Sequence, residues 1–175
     1  MTTATTRRRA LAAVARAAAL LAAASTALLG CTAPDETDGE AATVIRVVDG
    51  DTIVVLLDGE ERRVRLLNVD APESVRPDWP VECLGPEAAD YLRTLLPAGK
   101  DVTLRYDVER TDGFGRDLAA VFADTELVNA ALARAGLAEA LLIPPNDAYY
   151  DEVAAAEREA RQQGVGLHDP DPDCS

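Results

Sequence analysis

Three polar segments interrupt the apolar runs of this chain, and their residue types suit metal binding and phosphate chemistry. They are Asp49-Gly-Asp-Thr52, Arg65-Leu-Leu-Asn-Val-Asp-Ala-Pro-Glu73 and Arg110-Thr-Asp-Gly-Phe-Gly-Arg116. Asp51 opens one predicted strand and Asp70 closes the next, so a hairpin would bring both carboxylates to one end of a sheet. Two carboxylates and a backbone carbonyl form a hard oxygen site suited to Ca²⁺.

The residues that follow Asp70 contain two further candidates. Pro72 restricts Ala71 to an extended backbone, which would fix the direction of the Ala71 carbonyl as a third metal ligand. Glu73 follows at a position from which its carboxylate could reach a water molecule beside the metal. A structural interpretation is also open, in which the Asp-Gly pair before Asp51 simply forms a turn and Asp70 caps it.

Two arginines belong to the same segments. Arg65 is flanked by valine and leucine, so at least the stem of its side chain should be buried, and Arg116 follows a Gly-Phe-Gly turn directly before a strand. Guanidinium groups are permanently charged, bidentate donors that match phosphate oxygens. The residues alone leave open the alternative that both arginines pair with local carboxylates in so acidic a chain.

The elements that must position these residues follow from hydrophobic periodicity and turn signals. Strands are predicted at residues 43–48, 52–57, 63–69, 101–107 and 117–123, and helices at residues 86–96, 127–135 and 147–163. Five strands with a helix between the third and the fourth are the layout of an OB-fold. The predicted class is therefore α+β, a five-stranded OB-fold barrel packed with three helices.

Residues 43–167 resemble the thermonuclease, or staphylococcal nuclease-like, family. Besides the three polar segments, the matching stretches are Gly85-Pro-Glu-Ala88, Leu127-Val-Asn129 and Gly136-Leu-Ala138. Their number and order make the match specific. The resemblance implies the same barrel fold and a Ca²⁺-dependent endo- and exonuclease that acts on DNA and RNA.

The resemblance also implies roles for the site residues. Asp51 and Asp70 would bind Ca²⁺ together with the carbonyl of Ala71, a position where family members often carry threonine. Glu73 would act as general base for the attacking water. Arg65 and Arg116 would hold the scissile phosphate.

The chain departs from the family around the nucleotide. Phe114, expected to bind substrate, keeps an aromatic face in the loop before Arg116 without a hydroxyl, and residues 139–144 lack matching tyrosines. Altered or weaker nucleotide binding is expected, because stacking of a base on an aromatic ring is worth ~1–3 kcal/mol. Trp79 could stack on a base or anchor its loop, and Tyr149 and Tyr150 are expected to pack helix three.

The first 31 residues have the pattern of an export signal. Arg7 to Arg9 form a basic head, residues 17–29 an apolar run of 13 residues, and Cys31 ends a sequence that resembles a lipoprotein cleavage site. We expect an exported monomer whose lipid anchor at Cys31 attaches it to the outer face of the cell membrane. An ordinary cleaved signal peptide, giving a secreted protein, is the alternative.

The predicted domain order is a leader at 1–31, an acidic tether at 32–42, the barrel domain at 43–168 and an acidic tail at 169–175. Without the leader, 13 basic and 31 acidic residues give a net charge of −18, and residues 43–168 alone hold 24 acids and a charge of −11. Proteins that bind polyanions are usually basic. The charge predicts weakened affinity for long nucleic acids, or it reflects solubility in a salty habitat.

Cys83 and Cys174 are the remaining cysteines, and in an exported protein such a pair favours a disulfide, although two independent thiols are also possible. No cysteine spacing typical of a metal site is present, and we expect that the single histidine, His168, cannot build a zinc site.

Two other functions compete with a nuclease. One is a non-catalytic module that binds nucleic acid or protein, and the other is a structural lipoprotein of the cell envelope. All five of the charged site residues are present, which favours the enzyme.

Overall fold

Short β-strands alternate with three helices in the computed structural model, which describes residues 39–74, 80–172 and 174. The strands are β1 (Glu40–Val47), β2 (Thr52–Leu57), β3 (Glu60–Leu66), β4 (Val69–Asp70), β5 (Asp101–Arg105), β6 (Asp117–Ala123), β7 (Glu126–Leu127) and β8 (Glu139–Ala140). The helices are α1 (Gly85–Leu95), α2 (Val128–Arg134) and α3 (Tyr150–Gln163), followed by a 3₁₀ turn at Gly166–His168. In the part of the chain that is described, no helix has both the length and the apolar character to cross a membrane.

The main sheet closes on itself. Its strand order is β3-β2-β1-β5-β6, and β3 also pairs in parallel with β6, so that five strands form a barrel to which β7 adds a short extension. The ion pair between Arg62 and the buried Asp117, 3.1 Å between Nε and Oδ2, crosses this closure. The predicted OB-fold barrel with three helices is confirmed.

Apolar side chains fill the barrel because they alternate along the strands. Fully buried members include Val44, Ile53, Val64, Leu66, Leu104 and Val121. The alanine-rich helix α2 packs against β6 and α3. Its Asn129 accepts a hydrogen bond from the Val121 N–H (2.9 Å) and donates one to the carbonyl of Leu67 (2.7 Å), which fixes α2 to the end of β3.

The first strand is longer than predicted. It begins at Glu40 rather than at Thr43, because residues 40–43 find a partner in β5 at residues 101–104. The Glu40 carboxylate also meets Arg110, at 2.7 Å. The last three residues of the predicted tether therefore belong to the barrel.

The third predicted strand is wrong at its C-terminal end. Strand β3 stops at Leu66 because the backbone turns at Asn68, which has a positive φ of 58°. The chain then forms the separate strand β4, which pairs with β8. The strands at residues 52–57 and 117–123 are found as predicted, and the ends of the remaining elements differ from the prediction by at most three residues.

Candidate active site

The register of the barrel brings the first two polar segments together. Arg65 in β3 lies directly opposite Thr52 in β2, which places it beside Asp51 at the start of β2. Asp70 is held in β4 by its pairing with Glu139. The turn at Gly50 lies too close to its neighbours for a side chain, since a Cβ atom there would stand 2.7 Å from the Cβ of Ala71.

Arg65 joins the two predicted metal ligands. Its Nη2 lies 3.0 Å from Oδ2 of Asp51 and 3.0 Å from Oδ1 of Asp70. Its Nη1 donates to the carbonyls of Leu66 (2.8 Å) and Val69 (2.7 Å), which orients the guanidinium. Both carboxylates therefore face one point at the end of the barrel.

Asp51 is buried, with 8% of its surface exposed. Burial raises the pKa of its carboxyl to about 6; Arg65 opposes the rise, and the charge of Asp49 adds to it. Oδ2 of Asp51 accepts a hydrogen bond from the Ala71 N–H (3.2 Å), and Oδ1 accepts one from the Thr52 hydroxyl (3.0 Å). Burial destabilises the ionised form of this carboxyl group, and a cation bound beside it would stabilise that form.

Glu73 is fixed by its backbone. Its N–H donates to Oε2 of Glu82 (2.9 Å), and its carbonyl accepts from the N–H of Glu82 (2.8 Å), so these two residues are held side by side. A Cβ atom on Gly85, the first residue of α1, would stand 2.6 Å from the Glu73 carbonyl oxygen. The glycine thus allows α1 to pack directly against the backbone of Glu73.

Arg116 is positioned by its own loop. Its Nε donates to Oδ2 of Asp112 (2.7 Å), and its backbone N–H donates to Oδ1 (2.9 Å). Partial burial raises the pKa of Asp112. Hydrogen bonds from the Arg116 and Phe114 N–H groups and from the Arg116 guanidinium lower it by more, so the pKa lies below its ordinary value. The lowered pKa favours the ionised form of Asp112, which orients Arg116.

All six residues predicted for metal and catalysis line one cavity of about 260 Å³. Its lining is Asp49, Asp51, Arg65, Asp70, Ala71, Pro72, Glu73, Glu82 and Arg116. We call this cavity the carboxylate pocket, because five acidic side chains meet two arginines in it. The two interpretations of the arginines both hold in part, since Arg65 and Arg116 pair with carboxylates and face the pocket at once.

The sequence interpretation missed two residues of the carboxylate pocket. The sequence predicts only a turn at Asp49, yet its Oδ1 accepts the Asp51 N–H (3.1 Å) and its charge raises the pKa of Asp51. The signal was present, because two aspartates flank one glycine. Glu82 lies nine residues beyond Glu73, and no local pattern distinguishes it.

A second cavity of about 350 Å³ adjoins the first and shares Arg65 and Arg116 with it. We call it the apolar pocket, because its other walls include Leu66, Leu67, Val69, Leu118, Leu141 and Ile143. Phe114 stands at its wall with 89% of its surface exposed, and the Arg116 guanidinium lies 5.7 Å from its ring centre. The predicted substrate residue thus lies beside the second cavity, not the first.

The remaining predicted residues fall elsewhere. Tyr149 packs edge-on against Phe122, with ring centres 6.0 Å apart, and neither it nor Tyr150 lines either pocket. Cys83 is bonded to Cys174 across 91 residues, with 5.0 Å between their Cα atoms. Cys31 and Trp79 lie outside the described residues.

The fold and the carboxylate pocket define an OB-fold protein with an acidic, arginine-lined site at the end of its barrel. Residues 63–169 match the family model described as staphylococcal nuclease homologue. The chain is 42% identical over 129 residues to a thermonuclease of Staphylococcus intermedius, covering 74% of this chain and 76% of that protein. Similar relatives are a thermonuclease of Staphylococcus hyicus (42% over 119 residues, 68% and 70% covered) and endonuclease YncB of Bacillus subtilis (36% over 127 residues, 71% and 60% covered). The chain belongs to the staphylococcal nuclease family.

Proposed function

We propose that this protein is a Ca²⁺-dependent nuclease that hydrolyses phosphodiester bonds of DNA and RNA. The observation that carries the proposal is the carboxylate pocket, in which five acidic side chains and two arginines converge. Family membership supports a nuclease, since the similar proteins are named thermonuclease and endonuclease.

The donor set of the carboxylate pocket fits Ca²⁺. Hard oxygen ligands are what this ion prefers, and the pocket offers them from several carboxylates on different strands and loops. Asp51 and Asp70 would hold the ion, and the carbonyl of Ala71 remains the proposed third ligand. A bound Ca²⁺ would supply positive charge to the phosphoryl oxygens and help to orient a water molecule.

The chain's own residues would perform the other tasks. Glu73 would accept the proton of the attacking water, because its carboxylate lines the same pocket. Arg116 would donate to the phosphate from its terminal nitrogens, since Asp112 engages its Nε and backbone. Arg65 would hold Asp51 and Asp70 in place through Nη2 and add charge beside the phosphate.

The apolar pocket would receive a nucleotide base or sugar. It shares both arginines with the carboxylate pocket, so a phosphate bound to them would place its neighbouring nucleoside there. The exposed ring of Phe114 offers a stacking surface at its wall.

The charge of the domain affects which nucleic acids the enzyme would bind. The net charge of −11 over residues 43–168 would weaken binding to long polymers, which depends mainly on phosphate contacts. Cleavage of short single strands should therefore be less sensitive to the protein's charge than binding of long duplexes.

We propose export of the chain, with a lipid anchor at Cys31 on the outer face of the cell membrane.

The test is incubation of the purified protein with single-stranded DNA in CaCl₂ or in EDTA at low and moderate salt. We expect cleavage in CaCl₂, its loss in EDTA, and recovery when Ca²⁺ is restored. Glu73→Gln should lower the rate by ~10²–10⁴-fold, as for loss of a general base. The exposed Glu126→Gln on β7 is the matched control and should cleave normally. Failure of the parent to cleave in CaCl₂ would overturn the proposal.

A second candidate is a non-catalytic module that binds nucleic acid. It is favoured by the four hydrogen-bond and ion-pair contacts of Arg65, which already commit both of its terminal nitrogens. Such a module would retain short DNA in CaCl₂ without cutting it, and Glu73→Gln would leave its affinity unchanged.

A further inference from the structure

A second group of acidic and basic side chains lies where the C-terminal elements meet. It consists of Glu139 in β8, Glu157 in α3 and His168 in the final 3₁₀ turn. One ligand atom from each residue lies within 4.8 Å of the others. None of the three lines the carboxylate pocket or the apolar pocket.

His168 is the feature that points to a ligand. Its side chain is only 7% exposed, and its buried Nε2 has no hydrogen-bond partner among the described residues. The nearest carboxylate oxygen, Oε1 of Glu157, is 3.9 Å away, which is too far for a hydrogen bond. A buried imidazole nitrogen without a partner is costly unless something else binds it.

The carboxylates of Glu139 and Glu157 both contact Arg161. Oε2 of Glu157 accepts the N–H of Ala140 (3.2 Å), which fixes this buried carboxylate. The guanidinium of Arg161 donates to Glu157 and lies 3.3 Å from Oε1 of Glu139. The Arg161 side chain is 55% exposed, so it can turn into solvent and yield its place.

We propose that Glu139, Glu157 and His168 form a Zn²⁺ site in which the metal replaces Arg161. One imidazole nitrogen, two carboxylate oxygens and a water molecule match the ligands and the four-coordinate geometry of Zn²⁺. Zn²⁺ bonds of ~2.0–2.2 Å place ligand atoms roughly 3.4 Å apart, so side-chain adjustments of about an ångström suffice. Ca²⁺ is a poor occupant, because it requires six or more oxygen ligands.

The proposed site differs from the expectation drawn from a single histidine. The residue count excluded zinc because it considered only histidines and cysteines, whereas the fold supplies two glutamates from other elements. A bound Zn²⁺ would join β8, α3 and the final 3₁₀ turn, and so stabilise the C-terminal part of the domain by mass action.

The test is calorimetric titration of the purified protein with ZnCl₂ in excess CaCl₂, which keeps Ca²⁺ in competition for the carboxylate pocket. Substitution of Co²⁺ for Zn²⁺ adds a visible spectrum that reports four-coordinate geometry. We expect one Zn²⁺ per chain, a Co²⁺ spectrum of that type, and a higher Tm with Zn²⁺ than with Ca²⁺ alone.

Variants locate the binding. His168→Phe and Glu139→Gln should each weaken Zn²⁺ binding by more than ~100-fold, since loss of a residue that merely orients a ligand costs ~10–100-fold. Glu159→Gln is the matched control: like Glu139 it is half exposed and paired with one arginine, but it lies outside the cluster. It should bind Zn²⁺ as the parent does.

The Zn²⁺ affinity of Arg161→Gln distinguishes binding at this site from adventitious binding elsewhere. Removal of the competing guanidinium should tighten Zn²⁺ binding by about 1.5- to 5-fold, the scale of an exposed ion pair. No binding by the parent would overturn the proposal. So would equal binding by the parent, Glu139→Gln and His168→Phe, because the ion would then lie elsewhere; unchanged affinity in Arg161→Gln would refute the exchange with arginine.

Discussion

The carboxylate pocket and the apolar pocket share two arginines and otherwise have opposite chemistry. The first gathers five acids from loops and strand ends, and the second is walled largely by leucine, valine and isoleucine from strand ends and loops. Arg65 and Arg116 stand between them. Two neighbouring surfaces, one for a cation and one for an apolar ring, suit a ligand that carries a charged phosphate and an aromatic base.

The difference teaches how an acidic domain can act on a polyanion. The basic side chains that line the two pockets are the two arginines at their boundary, although residues 43–168 carry a net charge of −11. Removal of a group from one pocket should therefore change a different kinetic quantity than removal from the other.

The largest effect is expected for the shared boundary. Arg116→Ala should lower kcat by ~10²–10³-fold, the cost of removing one donor that stabilises developing negative charge. Steady-state kinetics on a short single strand in CaCl₂ measures it. Arg110→Ala, in the same loop but paired with Glu40 outside both pockets, is the control and should keep kcat. An equal loss of kcat in Arg116→Ala and Arg110→Ala would contradict a special role for the arginines that the two pockets share.

A smaller effect, on KM rather than on kcat, is expected for a change in the apolar pocket. Phe114→Ala should raise KM by about 5- to 100-fold with little change in kcat, because it removes a stacking surface and no charge. Titrating substrate length and base composition sharpens the assignment. Val108→Ala removes another exposed apolar side chain outside both pockets and should leave KM unchanged. A fall in kcat alone for Phe114→Ala would contradict the separation of roles.

A third effect concerns the free energy of unfolding in EDTA rather than a kinetic constant. Burial raises the pKa of Asp51 from 3.8 to about 6, so the folded state binds this proton more tightly than the unfolded chain. Asp51 therefore costs stability as pH rises from about 4 to about 6, and the cost persists above pH 6. Asp51→Asn lacks the charge and should be more stable than the parent at pH 7.5, by up to about 3 kcal/mol.

Urea unfolding in EDTA at pH 4.5 and pH 7.5 measures this difference, which should grow with pH. In CaCl₂ the order should reverse, because the parent gains the free energy of ion binding that the variant lacks. A variant that is less stable than the parent in EDTA at both pH values would show that Asp51 stabilises the fold through Arg65 instead.

Much of the fold could be predicted because its signals are local. Alternating strands, the Asp-Gly turns and the Gly-Pro start of α1 can be read within a few residues. The end of β3 could not, since the turn at Asn68 uses a left-handed backbone without glycine. The start of β1 depends on a partner strand some sixty residues away.

The site shows the same division. Asp51, Arg65 and Asp70 belong to compact motifs and were predicted together. Glu82 lies nine residues beyond Glu73, and it reaches the carboxylate pocket through the two hydrogen bonds that its backbone N–H and its carboxylate form with the Glu73 backbone. That Arg65 bonds both carboxylates at once depends on the register of β2 and β3, which side-chain types alone do not reveal.

The bond between Cys83 and Cys174 has a practical consequence for Glu82, the residue directly before Cys83. A disulfide of this kind forms where thiols are oxidised, so a preparation from a reducing cytoplasm would contain two free thiols and a released C-terminal segment. Glu82, which is hydrogen-bonded to the Glu73 backbone, would then lie next to a cysteine that is no longer bonded to the C-terminal segment. Batches of the purified protein would differ in activity with their redox history while remaining identical in sequence.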